Sequence, residues 1–204
     1  MANDHIPVLP TLDELRPRLE SMLAQHSRLT MACLDLDNFM EINQRYGRAV
    51  GDQVLATVTR LLAANLSDIA ALARHGDEFY AILTSPREVS FIELEELRRY
   101  IHENQHPIGS EHVSFTVSTG LAGYPEDARN AQELWRAAES ALFIAKRQGR
   151  NQIRLAANES MTLKSNYYTG TQLERLSDLA RRLGRTEASL LREALDDLLR
   201  KYSE

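Results

Sequence analysis

Along the first three quarters of the chain, apolar residues alternate between helical spacing and the short unbroken runs of buried strands. In residues 11–25, "TLDELRPRLESMLAQ", Leu12, Leu15, Leu19 and Leu23 recur as one helix face, with Pro17 in the middle. "RLTMACLDLD" is a short apolar run ending in acids, a buried strand that delivers Asp35 and Asp37 at its C-terminal end. A short helix with Phe39, Ile42 and Tyr46 inward stops at Gly47, and "GRAVGD" reads as a turn. "QVLATVTRLLAANL" is an amphipathic helix carrying Leu55, Val58, Leu61 and Leu62 on one side. "LARHGDEFYAIL" is a hairpin whose bend holds Gly76, followed by helix "FIELEELRRYIHENQ" and strand "HVSFTVSTGLAGYP". "NAQELWRAAESALFIAKRQG" is a helix closed by Gly149, and "RNQIRLA" a last strand. The predicted order is α-β-α-α-β-β-α-β-α-β, an α+β domain with helices packed over a sheet, assigned to residues 1–156.

Residues 157–204 have a different pattern. A polar connection runs into a short strand, and two helices, "TGTQLERLSDLARRLG" and "RTEASLLREALDDLLRKY", meet at Gly184. Their apolar faces (Leu173, Leu176, Leu179 and Leu183; Leu190, Leu191, Ala194, Leu195 and Leu198) are too small a core to fold alone. They need a partner, which makes the tail a dimerisation element.

Composition narrows the setting. Of 204 residues, 43% are apolar, enough for a packed core, yet no run approaches the ~20 residues that cross a bilayer. The N-terminal stretch lacks a basic segment followed by an apolar one, so no secretory signal is expected. Cys33 is the single cysteine, which excludes an internal disulfide framework and a Cys-based zinc site and points to a reducing, cytoplasmic location without membrane partners. On its buried strand Cys33 reads as an apolar filler. Trp135 and Phe143 read as core or interface packing, and "YIHENQH" as the cap of a solvated helix end. Net charge is −5, and from Glu159 onward eight Lys and Arg balance eight Asp and Glu. Any DNA contact must therefore come from local clustering, such as Lys164, Arg181, Arg182 and Arg185.

The chemistry lies at the strand ends. If the first strand neighbours the hairpin, Asp35 meets Asp77 or Glu78, and such acids repel unless a divalent cation neutralises them. Lys146 and Arg150, four apart, suit an anionic group such as a triphosphate, while Asn43 and Asp52 could read the polar edges of a base. Taken singly, each is more simply a solvated charge at an element end.

Together they carry a resemblance. "LDLDNFMEINQRYGRAVGDQVL", "ARHGDEF", "TVSTGLAGYP" and "AAESALFIAKRQGRNQI" resemble, in order, the motifs of the GGDEF domain of diguanylate cyclases. Those enzymes join two GTP molecules into cyclic di-GMP, each held by one protomer of a dimer. The resemblance implies a GGDEF-type mixed sheet covered by helices, like the palm of nucleotide cyclases. It implies Mg²⁺ or Mn²⁺ on Asp35 and Asp77, with Asp77 and Glu78 as the catalytic acids. Guanine would be read by Asn43 and Asp52, and phosphates would be met by Gly76, Lys146 and Arg150. The signature departs from the family's: the Gly-Gly turn is His75-Gly76, or else His75 replaces an aromatic and one glycine is missing. Met40 stands for the usual lysine, Arg48 for the usual histidine, the N-terminal "LTGLxNR" segment is absent, and no Arg-x-x-Asp precedes the hairpin.

The tail resembles a ribbon-helix-helix domain, in which two chains pair strands into a ribbon that enters the DNA major groove. That resemblance implies DNA contacts from the strand residues Lys164, Ser165, Asn166 and Tyr167, whose facing alternates in an unfixed register. It also puts a phosphate near Arg185 and Thr186 at the start of the last helix. The expected partners are a second copy of the chain, a guanine nucleotide and duplex DNA.

Overall fold

A computed structural model describes residues 9–156, 168–183 and 187–202. The chain divides into two compact units, Met1–Ser160 and Met161–Glu204. In the first, β1 (Leu29–Leu36) is the centre of a five-stranded sheet. The other strands are β2 (Ile69–His75), β3 (Glu78–Leu83), β6 (Val117–Tyr124) and β7 (Ile153–Leu155), in the order β2-β3-β1-β6-β7. Only β6 and β7 run parallel. The helices are α1 (Leu12–Leu23), α2 (Phe39–Tyr46), α3 (Arg48–Asn65), α4 (Arg87–Glu103) and α5 (Ala131–Arg147).

Two-residue periodicity sorts the strands between two cores. Ala32, Leu34 and Leu36 of β1 join the cluster built with Val58 and Leu62 of α3 and Leu94 and Leu97 of α4. Leu29, Met31 and Cys33 face the other way, among Leu15 and Leu19 of α1 and Trp135, Ala138 and Leu142 of α5. Because both faces are covered, β1 reads as a continuous apolar run instead of an alternating one, and all eight of its residues are buried. Cys33 is fully buried, and burial pushes its thiol well up, as expected of a filler. At Gly120 of β6 an added Cβ would stand 2.1 Å from the Ala138 carbonyl, so α5 rests directly on the sheet backbone. That close seating carries the end of α5 over the end of β1.

The sheet and helices match the α+β expectation, and several element details differ from the sequence reading. The segment read as the "GRAVGD" turn is already helix from Arg48; Gly47, at φ +85°, makes the break alone. The long strand predicted over residues 112–125 is two: Glu111–Val113 (β5) pairs with His106–Ile108 (β4) in a separate hairpin, and β6 begins at Val117. A three-residue strand is too short to show a period. His106 is buried, not solvated; its Nε2 meets the Ile101 carbonyl at 3.1 Å and its ring packs against Phe115. Phe143 is 59% exposed beneath the Arg147 guanidinium, whereas Trp135 is core, stacked on Tyr80 at 5.0 Å.

In the second unit, α6 (Gly170–Leu183) and α7 (Glu187–Tyr202) pack on one another. Leu173, Leu195 and Leu198 are about half exposed in the single chain. The predicted ribbon strand, with Lys164, Ser165, Asn166 and Tyr167, lies outside the described residues, as do Arg185 and Thr186. No described helix is long and apolar enough to cross a membrane.

Candidate functional site

β1 and β3 pair antiparallel with Asp35 opposite Glu78, so the acids at the end of β1 and after the hairpin bend are neighbours by register. His75 pairs with Glu78 across a two-residue loop made of Gly76 and Asp77. Gly76 takes φ +63°, the positive first position that a tight primed turn requires and that a side chain would strain. The loop is tied back by Arg74, whose Nη1 donates to the Gly76 carbonyl at 2.7 Å, and by the Leu36 N–H, which donates to the Asp77 carbonyl at 3.3 Å. His75 is thus a strand residue with an exposed side chain, and the bend itself consists of one glycine and the acid.

Asp35, Asp77, Lys146 and Arg150 line one open cleft of about 490 Å³, shared with Phe39 and Met40 of α2. Lys146 Nζ lies 2.6 Å from Asp35 Oδ2 and 3.7 Å from Glu78 Oε1. The other Glu78 oxygen accepts from the Tyr80 hydroxyl at 2.6 Å. Burial pushes the Asp35 carboxyl up to about 6; Lys146 opposes that rise, while Asp77 and Glu78 add to it. Burial, and then the bond to Glu78, also push the Tyr80 hydroxyl up. Tyr80 is therefore a neutral donor that fixes how Glu78 points.

The residues expected to read a base sit beside this cleft, on α2 and α3. Asn43 is half-buried, and its side chain fills the space of the missing Gly51 Cβ: a methyl there would stand 1.9 Å from Asn43 Oδ1 and 3.3 Å from Phe39 Cζ. Gly51 inside a helix costs about 1 kcal/mol relative to alanine, and that cost places Asn43 against the turn bearing the exposed Asp52. Phe39, shared by this seat and the cleft, links the two parts.

Sequence reasoning passed over what holds the cleft's far wall. Asp37 is buried, and its carboxylate accepts from Thr116 Oγ1 (2.7 Å), Ser118 Oγ (2.7 Å) and the Asn151 N–H (3.0 Å). Arg150 and Asn151 adopt φ +62° and +47°, left-handed conformations costing about 1–2 kcal/mol for an ordinary residue and less for asparagine. Arg98 braces the same pair, donating to Asn151 Oδ1 at 2.7 Å and to the Asn151 carbonyl at 3.2 Å. The "GRN" turn signal after α5 was visible in the sequence; the distant acid and arginine that hold it were not. This left-handed pair is also why β7 begins at Ile153, three residues later than predicted.

Whether a divalent cation fits can be judged from the charges present. Among the described residues no three His, Cys, Asp or Glu side chains form a cage for a metal ion. The Lys146 ammonium already stands where the Asp35 and Glu78 carboxylates seek a cation. Two hard carboxylates, Asp35 and Asp77, on an open cleft suit Mg²⁺, which keeps water and phosphate oxygens in its shell instead of a closed protein cage.

Comparison with known proteins agrees with this architecture. Residues 11–152 match the family described as "Diguanylate cyclase, GGDEF domain", and residues 165–203 match the ribbon-helix-helix domain. The chain belongs to the GGDEF diguanylate cyclase family, with a ribbon-helix-helix domain following. It is 34% identical over 162 residues to the diguanylate cyclase TpbB of Pseudomonas aeruginosa, covering 76% of this chain and 37% of that one. With diguanylate cyclase A of Treponema denticola it shares 28% identity, covering 64% of this chain and 36% of the relative. The chain thus spans little more than a third of the length of these two relatives. Among solved structures, the GGDEF domain of TpbB superposes with a TM-score of 0.68 at 30% identity, over 74% of this chain and 98% of that one. The GGDEF domain of DgcB from Caulobacter crescentus, solved in complex with c-di-GMP, gives 0.66 at 26% identity, over 76% and 95%.

Proposed function

We propose that residues 1–156 bind a guanine nucleotide with Mg²⁺ or Mn²⁺ and turn it over weakly or not at all. Residues 157–204 join two chains through their strands and helices and contact duplex DNA, making the protein a transcriptional regulator. The observation that carries the nucleotide reading is the convergence of Asp35, Asp77, Lys146 and Arg150 on one cleft beside the Asn43–Gly51 seat. In this reading Asn43 and Asp52 select the base, and Lys146 and Arg150 neutralise the phosphates. Asp35 and Asp77 hold the ion, which when bound polarises the α-phosphate and lowers the pKa of an attacking hydroxyl. Weak turnover is favoured by the short Gly76-Asp77 bend and by Met40, an apolar side chain 71% exposed at the cleft where the family has a lysine.

The exposed leucines of α6 and α7 support pairing, which raises the effective concentration of one nucleotide domain for another. A specific observation also favours a second reading, an active cyclase that its tail holds as a dimer: the charged residues that the family resemblance assigns to the reaction, Asp35, Asp77, Glu78, Lys146 and Arg150, are all present in the chain. Incubating the protein with Mg²⁺ and GTP and measuring cyclic di-GMP separates the two. Little or no product alongside magnesium-dependent GTP binding supports the regulator, whereas robust turnover abolished by Asp77→Ala establishes the cyclase. The output is tested by DNA retention at rising salt. Wild type should bind with a salt slope that Lys164→Ala with Arg185→Ala reduces, and absent retention at low salt removes the regulatory role.

A further inference from the structure

We infer that Asp37 and Arg98 are positioning residues that hold Arg150 in its left-handed backbone conformation, so that its guanidinium faces the phosphates of the bound nucleotide. The inference deepens the nucleotide reading of the cleft and rests on it.

Arg150 follows the end of α5 after Gln148 and Gly149, and its direction is set by the backbone. Its N–H donates to the Ala145 carbonyl at 3.1 Å, and Gln152 Nε2 donates to the same carbonyl at 2.9 Å, so the chain folds back over the helix end. Two successive non-glycine residues with positive φ persist only where the surroundings over-determine them. Here the surroundings are identifiable. The Asn151 N–H would point into a buried corner without the Asp37 carboxylate, and Asp37 is itself fixed by two hydroxyls from the start of β6 and the residue before it. Arg98, from α4, donates to both the carbonyl and the side-chain oxygen of Asn151, with its remaining nitrogens on Glu95. The N–H, the carbonyl and the side-chain oxygen of Asn151 are each engaged by a charged partner.

A general staple at this point would serve with glycine or a β-turn. Instead, the strained pair is Asn151 and Arg150, the residue of the loop that lines the cleft. If the clamp loosens, residues 150 and 151 relax to ordinary φ and Arg150 leaves the wall, while Lys146, one turn back on α5 and paired with Asp35, stays. Asp37 and Asp35, two residues apart, thus serve the same phosphates by different routes: one binds the ion, the other aims a distant arginine.

The test is a double-mutant cycle on the full chain. GTP binding with Mg²⁺ is measured by calorimetry for wild type, Arg98→Ala, Arg150→Ala and the double variant, and Asp37→Asn is included as a variant of similar shape. Arg98→Ala should weaken GTP about ten-fold, as loss of an orienting partner typically does. The double variant should be no weaker than Arg150→Ala alone, because both changes remove one contact. Amide exchange supplies a readout independent of affinity: the Asn151 N–H should be protected in wild type and exchange faster in Asp37→Ala, which leaves it without its acceptor. Additive losses, or unchanged GTP affinity in Arg98→Ala and Asp37→Asn, would overturn the inference while leaving the nucleotide reading standing. Absence of magnesium-dependent GTP binding by wild type would overturn both.

Discussion

Asp35 lies just before the end of β1 and Asp37 just beyond it, and their surroundings are opposite in kind. Asp37 is over-supplied: three donors, two from around the start of β6 and one from the turn after α5, meet its two oxygens. Asp35 is under-supplied, with one lysine ammonium against the fields of Asp77 and Glu78 and a carboxyl pushed up to about 6. A carboxylate whose hydrogen bonds are all satisfied internally stabilises the fold and has little left to offer a ligand. A desolvated carboxylate among other acids costs stability and recovers it only when a cation arrives. In the function proposed above, two residues of separation divide a structural acid from a binding one.

The largest expected effect breaks the binding side of this comparison. Asp35→Ala or Asp77→Ala should cost magnesium-dependent GTP affinity about 4 kcal/mol, on the order of 1,000-fold, read by calorimetry with the circular dichroism spectrum unchanged. If Asp35→Ala instead unfolds the protein and binding is unaltered wherever it folds, the division of labour is reversed.

Somewhat smaller is the effect on the structural side. Asp37→Ala strands the buried Ser118 hydroxyl, the half-buried Thr116 hydroxyl and a backbone N–H and should lower unfolding free energy by about 3 kcal/mol in urea titration, with an unchanged m-value. A loss below about 0.5 kcal/mol, the ordinary range for surface sites, would show that water replaces the carboxylate and that the corner is not closed.

How much of this was legible follows from where the information lies. Long helices and the strand-end acids were visible because each is encoded by consecutive residues: the apolar run of β1, the Gly76 bend and the apolar stripe of α5. The family motifs then brought Asp35, Asp77, Lys146 and Arg150 together, and the cleft has all four on its walls. The Asp37 corner was not legible because its partners are 79, 81 and 114 residues away, and nothing local distinguishes an acid destined for three donors from one destined for a metal. Nor could the seat of Asn43 be read, since Gly51 inside "GRAVGD" has the look of a turn until the space left by its Cβ is known to be filled. The short β4–β5 hairpin failed for a simpler reason, having too few residues to carry a period.

The finest test sets stability against binding at one carboxyl. For Asp35 the folded value of about 6 lies above the ordinary 3.8, so the native state holds that proton more tightly than the unfolded chain between those limits. Its contribution to stability is therefore full below about pH 4 and is lost as pH rises through 6, by about 2 kcal/mol after allowing for water at the cleft mouth. Ion binding has the opposite slope, because only the ionised carboxylate coordinates a hard cation, so GTP affinity with Mg²⁺ should climb over the same interval. Asp35→Asn should flatten both profiles, with urea midpoints and calorimetric affinities measured at half-unit steps from pH 4.5 to 7.5, whereas Asp37→Asn should leave the slope of the affinity profile in place while shifting its level. Parallel slopes for stability and affinity in the wild type would mean that Asp35 is not the group linking them, and the contrast between the two acids would lose its electrostatic basis.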